Sequence, residues 1–219
     1  VTTPCEPIKQ TFTNRCHAER SGAENVVNGA CAHNLPEGVE VDRVQYNDST
    51  TGYIAKPSGD GPYPAVILIH EWWGLNENIE WYAEQFAAQG YVALAVDLYN
   101  GQSTIDPAHA RVYASEVRSD KGAAFDNLQA AVDYVSSLPE VDTARLASVG
   151  WCFGGGWSYE MAKNSLGTAA SVIYYGQFNP EDDLEQMRST IMGHFGEDDQ
   201  AIPIDDVKAF QANLKTLNG

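Results

Sequence analysis

Cys152 stands between glycines two positions to either side, in Val149-Gly150-Trp151-Cys152-Phe153-Gly154-Gly155-Gly156. A nucleophile on a tight strand-to-helix turn needs that spacing, because the turn strains its dihedrals and leaves room only for small flanking residues. At such a helix N-terminus the dipole favours the thiolate. The following N–H, that of Phe153, then points where an oxyanion develops. The competing reading of Cys152 is a structural thiol packed beside a Gly-rich helix start. Two companion segments favour the nucleophile. In His70-Glu71-Trp72-Trp73-Gly74 the chain leaves the carboxyl end of an apolar run, the position where open α/β sheets bind ligands. An N–H of this loop is the usual second oxyanion donor, and Trp72 is the candidate. Glu71 is costly at an apolar edge without a partner, so it is either a working carboxylate or one arm of a salt bridge. Trp72 and Trp73 also read as core plugs, and His70 reads better as a hydrogen-bonded structural histidine than as a base. The third segment, His194-Phe195-Gly196-Glu197-Asp198-Asp199-Gln200-Ala201-Ile202-Pro203, supplies a Gly-acid turn where a triad acid belongs. Asp198 and Asp199 compete for that role, and each also suits a helix cap.

The elements that must hold these residues alternate along the chain. Val39 to Tyr46 and Thr51 to Ala55 read as a hairpin, the first half-buried by its apolar-polar alternation. Ala65 to Ile69, Tyr91 to Val96 and Leu146 to Val149 are apolar runs of the kind buried on both sheet faces. Ala170 to Tyr175 and Thr190 to Phe195 are further strands. Helices are expected from an Asn76 cap to about Gln89, and from Pro107 to about Leu138 with a break near Gly122. Two more are expected over Ser158 to Lys163 and Pro203 to Leu217, the last with Val207, Phe210, Leu214 and Leu217 on one stripe. Strand-helix alternation with apolar strands gives an α/β class, a mostly parallel central sheet with helices on both faces.

Composition narrows the partners. The 219 residues carry 13 Lys+Arg against 30 Asp+Glu, a net charge of −17, which repels phosphate backbones and anionic membranes. Nucleic acid is therefore a poor partner, and no apolar run is long enough to span a bilayer. A small-molecule substrate remains. Three of the four cysteines, Cys5, Cys16 and Cys31, fall in the polar stretch before Leu35-Pro36-Glu37-Gly38. The chain accordingly divides into an extension, residues 1–36, and a catalytic domain, residues 37–219. A disulfide in the extension is expected, Cys16–Cys31 ahead of Cys5–Cys31 or Cys5–Cys16. Such a bridge across 15 residues contributes about 3 kcal/mol in the chain-entropy account. It would place the protein in a secreted or periplasmic setting, the alternative being a cytoplasmic protein with three thiols. There is no C-x-x-C pair, so no metal site is expected.

From about Val39 onward the chain resembles the dienelactone hydrolase family of α/β-hydrolases. The residues that carry the likeness are Val66 to Gly74, Gly90-Tyr91-Val92-Ala93, Asp97-Leu98-Tyr99, Gly150 to Gly155, and Gly196 to Asp199 with Ile202-Pro203. The resemblance implies an α/β-hydrolase fold and hydrolysis of an ester or lactone through an acyl-enzyme, with no metal and no organic cofactor. It implies Cys152 as nucleophile, Asp199 as triad acid, and Glu71 as the carboxylate that holds the resting thiol within hydrogen-bonding reach, directly or after a rotamer change. Trp72 and Phe153 become the oxyanion donors, and Trp73, Arg111 and Tyr113 the substrate contacts. The triad histidine follows the acid in chain order, yet none of the five histidines follows Asp199. A further strand, a loop carrying that histidine and a closing helix are therefore expected beyond residue 219. A non-catalytic scaffold that docks a partner through its Cys-bearing arm is the alternative.

Overall fold

The computed structural model describes residues 35–216. Cys5, Cys16 and Cys31, and with them the expected disulfide, lie outside those residues, as does Leu217. The described part opens with β1 (Val39–Gln45) and β2 (Thr51–Pro57), an antiparallel hairpin. Then follow β3 (Tyr63–Ile69), α1 (Glu77–Ala88), β4 (Val92–Val96), α2 (Pro107–Ser119), α3 (Lys121–Ser137), β5 (Val141–Trp151), α4 (Phe153–Lys163), β6 (Ala170–Tyr174), β7 (Thr190–His194) and α5 (Ile204–Thr216). The seven strands form one sheet in the order β1-β2-β4-β3-β5-β6-β7. From β4 through β7 every pairing is parallel, and β2 joins β4 antiparallel.

The buried strands are the ones whose apolar runs predicted it. Ala65 to Ile69 and Val92 to Val96 are almost without solvent exposure, because helices cover both sides. On one face α1 sets Ile79, Ala83 and Ala87 against Val66, Leu68, Ala93 and Ala95. On the other, Leu128, Ala131 and Val135 of α3 and Trp157 and Met161 of α4 pack on Ile67, Ile69, Leu94 and Leu146. At roughly 1.5–3 kcal/mol for each large side chain buried, these two layers are the main source of stability. The alternation in β1 misleads: as an edge strand it buries only Val39, and Val41 is 39% exposed.

Two helix boundaries differ from the sequence reading. The break between α2 and α3 falls at Asp120, whose N–H donates to the Glu116 carbonyl while its Oδ1 accepts from the Ala123 N–H. One aspartate thus ends the first helix and starts the second, and Gly122 lies inside α3. α4 begins at Phe153, five residues before Ser158, despite three glycines in its first turn. Among the described residues no helix is long and apolar enough to cross a membrane.

The hairpin is tied to the ligand end of the sheet by one buried network. The Tyr46 hydroxyl donates to Asn127 Oδ1 at 2.7 Å and accepts from the Asp97 N–H at 3.2 Å. Asn127 Nδ2 donates to the Asp97 carbonyl at 3.1 Å. Asp97 then shapes the loop after β4, its carboxylate accepting from the N–H groups of Tyr99 and Gly101. Tyr46→Phe leaves a buried N–H and an amide oxygen without this partner, and should cost about 1–3 kcal/mol in urea unfolding. A change below a few tenths of that would show the network to be idle.

Candidate active site

β5 turns into α4 at Cys152, whose φ of 55° and ψ of −114° are foreign to a non-glycine residue. The neighbouring glycines show why the turn holds. A Cβ on Gly150 would run into the Gly154 carbonyl, and one on Gly154 into the carbonyls of Ile69 and His70 at the end of β3. A Cβ on Gly155 would meet the Tyr174 carbonyl, and Gly176 lies against the Gly155 backbone. The helix start is therefore pressed onto the ends of both flanking strands, a packing that only glycine permits. The Cys152 N–H donates to the Tyr174 carbonyl at 2.9 Å, fixing the turn from the β6 side.

Three charged groups, Glu71, Arg118 and Asp199, converge on the sulfur from three elements. Burial pushes the Cys152 thiol up from its ordinary value, and the nearby charges of Glu71 and Asp199 add to the rise. The Phe153 N–H beside the sulfur and the Arg118 guanidinium pull the other way without reversing it. Glu71 is half-buried just after β3 and accepts from the Tyr175 hydroxyl at 3.4 Å. Asp199 Oδ1 accepts from the N–H groups of Ala201 and Ile202 at 2.8 and 3.2 Å. Asp199 is thus a turn cap and also a charge felt at Cys152, whereas Asp198 is exposed.

His70 is fully buried, and its bonds fix its tautomer. The Leu98 N–H donates to Nε2 at 3.1 Å, so Nδ1 carries the proton and donates to the Glu71 carbonyl at 2.6 Å. Burial lowers its pKa, and its ring lies between Tyr99, 4.6 Å away, and Phe153, 5.7 Å away. It is a structural pin for the loop that carries Glu71. The His194 ring lies flat on Tyr174 at 4.5 Å, and His109 sits beside Asp106 on exposed α2.

The remaining sequence candidates lie on the loop after β3 and on α2. Trp72 and Trp73 pack with ring centroids 4.8 Å apart. The Trp72 carbonyl accepts from the Tyr99 hydroxyl, and the Trp73 carbonyl from the Thr104 N–H. Tyr113 packs on Tyr99 at 5.5 Å and helps line a cavity of about 530 Å³ between the hairpin turn, the loop after β4, and α2 and α3. Arg111 is exposed on α2. Two helical turns further on, Arg118 places its guanidinium 5.4 Å over the Phe153 ring. Arg118 and Tyr175 are the site residues that the sequence did not single out. For Arg118 the only available signal was a cation spaced at i+7 from Arg111 on one helix face.

The dienelactone hydrolase family model matches residues 50–218. A protein of Methylorubrum extorquens provisionally named a carboxymethylenebutenolidase is 31% identical over 165 residues, covering 69% of this chain and 57% of that relative. The protein named usf from Aquifex pyrophilus is 32% identical, covering 71% of this chain and 69% of its own. Among solved structures, a dienelactone hydrolase-like promiscuous phosphotriesterase from metagenomic libraries superposes with a TM-score of 0.75 at 27% identity, covering 83% of this chain and 78% of that one.

The hydrogen bonds around His70 carry a test. Its imidazole should remain neutral at pH 6 in a histidine-selective NMR titration, the Nδ1–H tautomer persisting. Below about pH 6.5 the unfolded chain then binds a proton that the folded one refuses, so this group makes stability fall as the pH drops through that window. An imidazole titrating near 6.5 would contradict the assignment.

Proposed function

This chain belongs to the dienelactone hydrolase family, and we propose that it hydrolyses a carboxylic ester or lactone through an acyl-enzyme on Cys152. The observation that carries the reading is the position of the sulfur. Cys152 sits at the N-terminus of α4 with the Phe153 N–H on it, and the carboxylates of Glu71 and Asp199 are close enough to set its protonation. A thiol whose pKa is raised rests protonated, so attack requires a base. Glu71 is the carboxylate suited to accept that proton when substrate enters, and Asp199 is the triad acid.

The chemistry follows from these positions. The Cys152 sulfur attacks the carbonyl carbon, and the carbonyl oxygen takes up negative charge. The N–H groups of Phe153 and Trp72 bind that oxyanion, helped by the positive end of α4. Collapse expels the alcohol and leaves a thioester, which water then hydrolyses to free the acid and the thiol. Trp73 and Tyr113 are the residues assigned to contact the substrate. Arg118, whose charge is felt at the sulfur, is the cation that an anionic acyl group or the developing oxyanion would meet. The same thiolate is chemically competent toward a phosphoryl centre, so a phosphotriester is the second substrate class worth assay, as the name of the metagenomic neighbour suggests. An extension bridged by Cys16 and Cys31 in a secreted or periplasmic setting belongs to the same proposal.

Replacing Cys152 with Ala should lower kcat/KM for p-nitrophenyl acetate by about 10³-fold or more, to the background rate. Glu71→Gln should lower kcat by about 10²-fold. Both variants should unfold at the wild-type temperature. Hydrolysis that survives Cys152→Ala would remove Cys152 from the mechanism.

A further inference from the structure

Tyr175 is held in a conformation that packing alone does not explain. Its φ is 40°, a value that costs a bulky residue about 1–3 kcal/mol. The backbone clamps it from both sides: the Tyr175 N–H donates to the His194 carbonyl at 2.8 Å, and the preceding Tyr174 carbonyl accepts from the Cys152 N–H at 2.9 Å. The next residue, Gly176, lies against Gly155 of the nucleophile helix. Tyr175 is thus built into the same crossing that strains Cys152, and its ring remains 41% exposed. From there its hydroxyl reaches Glu71 Oε1 at 3.4 Å.

We propose that Tyr175 is a positioning residue, a phenol that anchors the Glu71 carboxylate beside Cys152 and so keeps the resting thiol protonated. This rests on the reading of Glu71 and Cys152 given above and adds one contact that helps to set Glu71 in place. The groups that face the sulfur come from five elements. Glu71 follows β3, Tyr99 follows β4, Arg118 ends α2, Tyr175 follows β6 and Asp199 follows β7. Tyr82 of α1 is near enough to be felt electrostatically at Tyr175. Burial and the charges of Glu71 and Cys152 push the Tyr175 phenol up, so it stays a hydrogen-bond donor throughout the working range. A donor fixed at this point keeps the carboxylate's charge near the sulfur, where like-charge repulsion disfavours thiolate.

The test reads the thiol itself, so it stands apart from any assay of hydrolysis. Alkylation by iodoacetamide is followed against pH, with peptide mapping to separate Cys152 from Cys5, Cys16 and Cys31. Tyr175→Phe keeps the ring and removes the anchor. It should speed Cys152 alkylation at pH 7.5 by about three- to tenfold, since one pK unit is tenfold in thiolate population, with the thermal midpoint unchanged. Glu71→Asp, which draws the carboxylate back by one methylene, should also speed it. In a Glu71→Gln background the Tyr175→Phe change should add nothing. Alkylation as slow as in the wild type after Tyr175→Phe overturns the proposal. So does an acceleration that persists in full without Glu71, because the phenol would then act on the sulfur directly. Either result leaves the acyl-enzyme reading to be judged by the Cys152→Ala kinetics.

Discussion

Everything in the cleft depends on one crowded crossing, where the start of α4 lies against the ends of β3 and β6 with no side chain between them. Gly154 and Gly155 make that contact, Gly150 leaves room for Gly154 behind it, and the Tyr174 carbonyl fixes it with a hydrogen bond from Cys152. The consequence is a cysteine at φ 55°, a strain of about 1–3 kcal/mol. The buried strands on either side offset it easily, since each large side chain in Ala65 to Ile69 contributes a comparable amount. The core therefore sustains the strain, and the strain aims the sulfur out of the sheet into the cleft with the Phe153 N–H beside it.

Around that sulfur the effects compete. Burial and two carboxylates favour the thiol; one N–H, one guanidinium and the helix terminus favour the thiolate. The thiol wins at rest. A cysteine held in its protonated form is also shielded from oxidation, because oxidants, like alkylating agents, attack the thiolate. In the proposed reaction a proton must then move within the site, and the placement of Glu71 matters more than its mere presence. His70 contributes by holding the Glu71 loop through its backbone, a role that needs a neutral, fully bonded ring.

Much of this was legible in the residues. Continuous β-branched runs marked the central strands, and a cysteine flanked by glycines at two-residue spacing marked the turn. What escaped was local and physical. Three glycines are poor helix formers, so the start of α4 read as Ser158, although the crossing requires those glycines in the first turn. Asp120 serves two helices at once, and sequence rules that assign a break to glycine pointed to Gly122 instead. Asp198 and Asp199 are indistinguishable as letters; only the fold shows which charge reaches the sulfur. Arg118 and Tyr175 look like ordinary surface residues until α2 and the end of β6 are brought to the same point.

The central claim is that the reaction passes through Cys152 as an acyl-enzyme. Rapid acid quench of the protein during turnover of a p-nitrophenyl ester, followed by peptide mass spectrometry, addresses that most directly. The account predicts an acyl mass increment on the peptide bearing Cys152, formed in step with the p-nitrophenol burst and absent from the Cys152→Ala variant. Steady hydrolysis with no adduct, or with the adduct on another residue, would contradict it.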